Sequence, residues 1–132
     1  MQILVAYDGR DRFSKEADNS ILLLLVDDEV RVLLTGDCEA VCEKAVSPHL
    51  KKVDVLNVGH HGSNGASSPP FLKLLSPKLA AISAGANNQY GHPTKPVLVR
   101  SKQVKAEILR TDQEGTIVVR SSGTSFKIET EK

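Results

Sequence analysis

The chain has 132 residues, with 17 Lys/Arg against 16 Asp/Glu and a formal charge of +1. That length suits one domain with a real core and excludes two independent ones, and the charge balance gives no global pull toward nucleic acid or a membrane. The 40% hydrophobic and 25% charged fractions describe a soluble globular protein, and the longest apolar run, Ile21–Val26, is far too short to cross a bilayer. With no basic segment leading into an apolar core and cleavage site at the N-terminus, the expectation is a single domain over 1–132, no membrane segment and a cytoplasmic location.

In chain order, Gln2–Tyr7 reads as a strand and Asp8–Asp11 as the turn that ends it, while Arg12–Asn19 is polar and without period. Ser20–Val26 and Val30–Leu34 are apolar strands split by Asp27-Asp28-Glu29, a spacing for a tight hairpin. Their continuous apolarity implies cover on both faces. Ala40, Val41, Ala45, Val46 and Leu50 then recur at helical spacing, with Pro48 helping to end the helix. Val53–Val58 is the next strand. Pro69 opens a helix carrying Phe71, Leu72, Leu74 and Leu75. Leu79–Ser83 is a strand, Gly85–Pro93 a loop, Lys95–Gln103 a helix and Ala106–Arg110 a strand. Thr116–Arg120 and Ser125–Glu129 form a closing hairpin around Ser121-Ser122-Gly123. Lys95, Arg100, Lys102, Lys105 and Arg110 could form a basic patch or a solvated helix face.

Cys38 and Cys42, four apart, would lie on one face of a helix. Two cysteines without a secretory signal are expected to be reduced, with a structural metal site of Cys38, Cys42 and His49 as a minor alternative.

Two of the four histidines, His60 and His61, follow a β-branched run and Gly59. Imidazole titrates near neutrality and is the commonest metal ligand, so a pair at a strand end suits site chemistry, though a solvated turn would also explain it. Strands joined through helices on one face are usually parallel, with right-handed crossovers. The strands at 30–34, 53–58 and 79–83 are joined this way, so their carboxyl ends should open on one edge, where open α/β sheets place ligands. Thr35-Gly36-Asp37, Gly59-His60-His61-Gly62-Ser63 and Gly91-His92-Pro93 then meet on one rim. Asp37 could equally cap the next helix, and His92 could only shape a turn. Taken together, one carboxylate and two or three imidazoles suit Zn²⁺, Mn²⁺ or Fe²⁺, and metal-assisted hydrolysis is the class of reaction implied.

These motifs resemble the second half of a metallo-β-lactamase-type hydrolase, and in detail the hydrolase-like domain of the ComEC family of DNA-internalisation competence proteins. The resemblance runs through Asp18-Asn19-Ser20, Leu33–Asp37, Asp54-Val55-Leu56 into Gly59–Ser63, Asn87-Asn88 before Tyr90–Pro93, and Arg110-Thr111-Asp112 before Gly115. It implies an α/β fold, a mixed sheet with helices on one face forming half of an αββα sandwich. It also implies that Asp37 and one of His60 and His61 are metal ligands for Zn or Mn, that Asp37, His60, His61 and His92 are the candidate catalytic residues, and that Ser63, Asn88 and Asp112 contact a nucleic acid or phosphoester substrate. Asn19 takes a place where many relatives carry a further ligand His.

The family's HxHxDH-like cluster has no counterpart, because no His precedes His49. Metal is therefore expected to bind weakly or not at all. A lone half should leave one sheet face bare, to be covered by a second copy in a homodimer or by a separate N-terminal half-domain, unless the chain is a fragment. The expected function is a metal-dependent hydrolase of the nuclease or phosphodiesterase class, its activity lost or dependent on a partner. The alternative is a non-catalytic module that uses the same rim to bind DNA, phosphate or a protein.

Overall fold

A computed structural model describes residues 1–7 and 19–132. The turn expected at 8–11 and the stretch 12–18, including Asp18, lie outside the described residues.

Six strands form a mixed sheet in simple sequential order: β1 (Gln2–Tyr7), β2 (Leu22–Asp27), β3 (Val30–Leu34), β4 (Val55–Asn57), β5 (Leu79–Ile82) and β6 (Glu107–Arg110). β1–β2–β3 pair antiparallel, and β3–β4–β5–β6 pair parallel. The antiparallel pairing of β2 and β3 follows from the short Asp27–Glu29 turn. The parallel part follows from crossovers through α1 (Ala40–Val46), α2 (Pro69–Leu75) and α3 (Lys95–Gln103). Each crossover helix is short, and proline helps to set its limits. Pro69 and Pro70 occupy the first turn of α2, where a missing N–H costs nothing, and α1 runs into a 3-10 turn, Ser47–His49, that contains Pro48.

Strand register places Leu24, Leu33, Leu56, Ala80 and Ile108 in one row across the sheet. This row faces the helices and packs with Cys42, Val46, Phe71, Leu72, Leu75 and Val97. Each buried leucine or phenylalanine contributes about 1.5–3 kcal/mol by leaving water. The same row fixes the register, because a slip of one residue would turn it to the other face.

The opposite face carries Val32, Leu34, Val55, Asn57 and Ala81. β7 (Ile117–Ser121) and β8 (Phe126–Thr130) form a separate hairpin. Its Ile117 and Val119 stand over that face across a cleft of about 330 Å³. At its tip the hairpin is tied to the β2–β3 turn, where the Glu29 amide donates to the Gly123 carbonyl at 2.8 Å, and its own base is closed by the Thr116 amide donating to Glu131 Oε2 at 2.9 Å. The expectation of a bare face is thereby corrected. The closing hairpin, legible in the sequence as a hairpin but not as a cover, screens part of it.

The cysteines also depart from expectation. Cys38 and Cys42 are joined by a disulfide, with their Cα atoms 5.5 Å apart, and both are buried. The reason is local: α1 begins only at Ala40, so Cys38 lies in the preceding loop, which folds back onto the first turn of the helix. The alternative of a site made from Cys38, Cys42 and His49 loses its thiolates, and His49 is exposed.

No helix among the described residues is long and apolar enough to cross a membrane.

Candidate functional site

The three loops that follow β3, β4 and β5 do meet. The His60 amide donates to the Gly36 carbonyl at 2.9 Å, tying the second loop to the Thr35-Gly36-Asp37 turn. Thr94 donates to the Gly62 carbonyl through both its amide (3.0 Å) and its hydroxyl (3.2 Å), tying the second loop to the third. Gly62 has φ +80, and a Cβ there would lie 2.5 Å from Pro93 Cβ, so only glycine lets these two loops touch.

His60 and His61 both occupy the left-handed region, with φ 49 and 55. Two consecutive non-glycine residues there cost roughly 1–3 kcal/mol each, and such strain collects at functional sites. The conformation is held by the side chains' own partners. His60 Nδ1 lies 3.0 Å from Glu39 Oε1, and His61 Nδ1 lies 2.8 Å from the Ser83 carbonyl oxygen. Both partners are acceptors, so in each ring Nδ1 carries the proton and donates, and Nε2 is the nitrogen left to face other groups.

Glu39 is 4% exposed and is the residue that sequence reasoning missed. Its carboxylate also accepts from Ser63 Oγ at 2.9 Å. A Cβ on Gly65 would lie 2.6 Å from Glu39 Oε2, so a glycine clears the space for the carboxylate. The available signal was its place two residues beyond Asp37, where a charged side chain heads toward the core at a helix start.

His92 completes a cluster: its ring centroid is 6.0 Å from that of His60, which is 6.4 Å from that of His61. Burial first, then the neighbouring His60 and His61, pushes the His92 pKa below its ordinary 6.5. His92 is therefore neutral at pH 7, a hydrogen-bonding ring rather than a cation.

The remaining expected residues fall as follows. Asp37 is exposed at the turn, its amide donating to Ser20 Oγ at 3.1 Å, and it does not cap α1, whose N-cap is Glu39. Ser63 is engaged with Glu39. Asn88 organises its own loop, its amide nitrogen donating to the carbonyls of Gly85 (2.9 Å) and His92 (2.6 Å). Its Oδ1 accepts from the amides of Tyr90 and His92, both at 3.1 Å. Asp112 accepts two hydrogen bonds from Arg110, at 2.9 and 2.5 Å, in the short helix α4 (Thr111–Glu114). The next residue back, Thr111, fastens this segment to Ala84.

The donor set fits a divalent ion only in part. His60 and His61 have the arrangement that metal-bound imidazoles favour, with the far nitrogen tied to a carboxylate or a carbonyl. Among the described residues, however, no group of three or more His, Cys, Asp or Glu side chains is placed to hold a metal ion.

No family model matches the chain. It is 43% identical over 106 residues to ComE operon protein 3 of Bacillus subtilis (strain 168), covering 78% of this chain and 14% of that protein. It is 41% identical over 105 residues to Recombination protein 2 of Haemophilus influenzae, covering 78% and 13%. Against Competence protein ComA of Neisseria gonorrhoeae it is 37% identical over 102 residues, covering 74% and 15%. The chain thus spans only about one-seventh of the length of these curated relatives. It is related to a segment of the ComEC-type competence proteins.

Proposed function

We propose that this chain is the imidazole-bearing half of a phosphodiester-cleaving site in a DNA-uptake protein, built on a metallo-β-lactamase-like half-domain. The observation that carries the reading is the strained His60-His61 pair, each ring anchored through Nδ1 and presenting Nε2 to the rim shared with His92. The kinship with competence proteins supports DNA as the source of the phosphodiester.

A Zn²⁺ or Mn²⁺ ion, if bound, would supply an activated water and polarise a phosphoryl oxygen. His60 and His61 would hold it through Nε2, and the further donors it needs would come from a second copy or a separate half-domain. The chain's own residues position the strand: the His92 ring donates an N–H to a phosphate oxygen, and Glu39 keeps His60 in one tautomer. Ser63, whose hydroxyl proton already goes to Glu39, acts as an acceptor and a spacer. The buried disulfide supports placement on the oxidising side of a membrane.

Because no three-ligand group forms among the described residues, a second reading is binding without cleavage. Both are tested by measuring binding and cleavage of a labelled single-stranded oligonucleotide with Zn²⁺, Mn²⁺ or chelator, for the native chain and for His60→Ala/His61→Ala. The proposal expects binding that the double variant weakens at least tenfold, and metal-dependent cleavage. Binding without cleavage at any metal concentration selects the second reading. Equal affinity of native and double-variant chains would overturn both.

A further inference from the structure

Beside the imidazole rim lies a pocket of about 180 Å³ lined by His61, Ala84, Gly85, Asn88, Tyr90 and His92. It is smaller than the roughly 300–1,000 Å³ that encloses a drug-sized ligand, so it takes a single ring system. Tyr90 is 71% exposed, a large ring held out in water. Its centroid is 5.9 Å from that of His92, with planes 31° apart. At that separation the two rings contact each other, so they form one aromatic wall rather than a slot that grips a ring from both sides.

We propose that this pocket is a nucleobase subsite, in which one base of single-stranded DNA stacks on the Tyr90–His92 wall while its phosphate reaches the imidazole rim. The inference rests on the phosphodiester reading above and adds to it the strand state and the mode of recognition. Two features give it content. Bases in a duplex are stacked inside the helix and cannot enter a recess, whereas an unpaired base presents a free π-face. Asn88, the amide in the wall, spends both donors and both acceptor positions on its own loop. It has nothing left to read a base edge, so stacking here is indifferent to base identity. The same four hydrogen bonds hold the wall in place before a ligand arrives.

The test measures binding of four labelled ligands to the full chain: a short oligothymidylate, an oligoadenylate, the same backbone with abasic sites, and a duplex. The native chain should bind oligothymidylate most tightly and oligoadenylate comparably. Tyr90→Ala should weaken oligothymidylate by about 5- to 150-fold and leave the abasic strand unchanged, and Tyr90→Phe should restore binding. A second variant, Gly85→Leu, fills the pocket without disturbing the backbone, since a Cβ at Gly85 meets nothing within 4 Å. It should show the same ligand dependence. If the abasic strand binds as tightly as oligothymidylate and only the His60→Ala/His61→Ala variant loses affinity, the subsite is overturned and the phosphodiester reading stands. If no strand binds, both fall.

Discussion

His60 Nδ1 and Ser63 Oγ converge on the same oxygen of Glu39, at 3.0 and 2.9 Å. A single buried carboxylate oxygen therefore sets the orientation of a rim imidazole and the course of the loop beyond it. Glu39→Ala leaves two part-buried donors without their acceptor and should cost about 1–3 kcal/mol for each one left unsatisfied. Glu39→Gln keeps an acceptor oxygen and should cost less. Urea unfolding gives the stabilities, and the nitrogen chemical shifts of the His60 ring report the tautomer. An unchanged His60 tautomer in Glu39→Ala would remove Glu39 from the positioning of the site.

The Cys38–Cys42 bridge closes a very short loop, so the chain-entropy gain is modest, about 2 kcal/mol. Reduction by a thiol reagent, or the Cys38→Ala/Cys42→Ala variant, should lower the unfolding free energy by that amount at most. The loss should be local, since Cys38 stands next to Glu39. A chain whose stability is unaffected by reductant would mean that the bridge contributes nothing.

Two carboxyls give stability opposite dependences on pH. Burial pushes the Glu43 pKa above 4.5, against hydrogen bonds from Ser68 and Ser67 and the charge of Arg100, which pull it down. The folded state thus holds that proton more tightly than the unfolded chain. Its contribution is complete below 4.5 and is lost as pH rises through the raised folded value. Asp112 is the reverse: the Arg110 hydrogen bonds lower its pKa below 3.8, so its contribution is present above 3.8 and lost as pH falls. Unfolding midpoints measured across the acid to neutral range should lose the first slope in Glu43→Gln and the second in Asp112→Asn.

Gly62→Ala should be severe for so small a change. The site has φ +80 and the new methyl would lie 2.5 Å from Pro93 Cβ, so strain and a clash combine. A loss of roughly 1–3 kcal/mol is expected from the backbone alone, together with separation of the His61 and His92 loops. Thermal melts measure the first, and weaker oligonucleotide binding the second.

Most of the architecture was legible because periodicity and punctuation agreed. The bounds of Val30–Leu34, Pro69–Leu75 and Lys95–Gln103 coincide with those read from sequence, and the parallel order of β3, β4 and β5 followed from the intervening helices. That order brought His60, His61 and His92 to one rim. What the sequence hid was long-range or depended on a single residue's offset. The disulfide depended on where α1 starts, two residues after Cys38. The role of Glu39 depended on a space left by Gly65, 26 positions later. The hairpin could be read as a hairpin, but its alternation of Ile117 and Val119 with Val118 and Arg120 does not say which surface it lies against.

The hairpin's tie at its tip has a mechanical meaning. None of the side chains in β7 or β8 is fully buried, so by burial alone this ribbon should fray early. Tied to the β2–β3 turn at its tip by Glu29 and closed across its own base by Thr116 and Glu131, it should lift from the sheet as one unit once the tip contact breaks, and its amides should exchange with solvent together, ahead of those of β3.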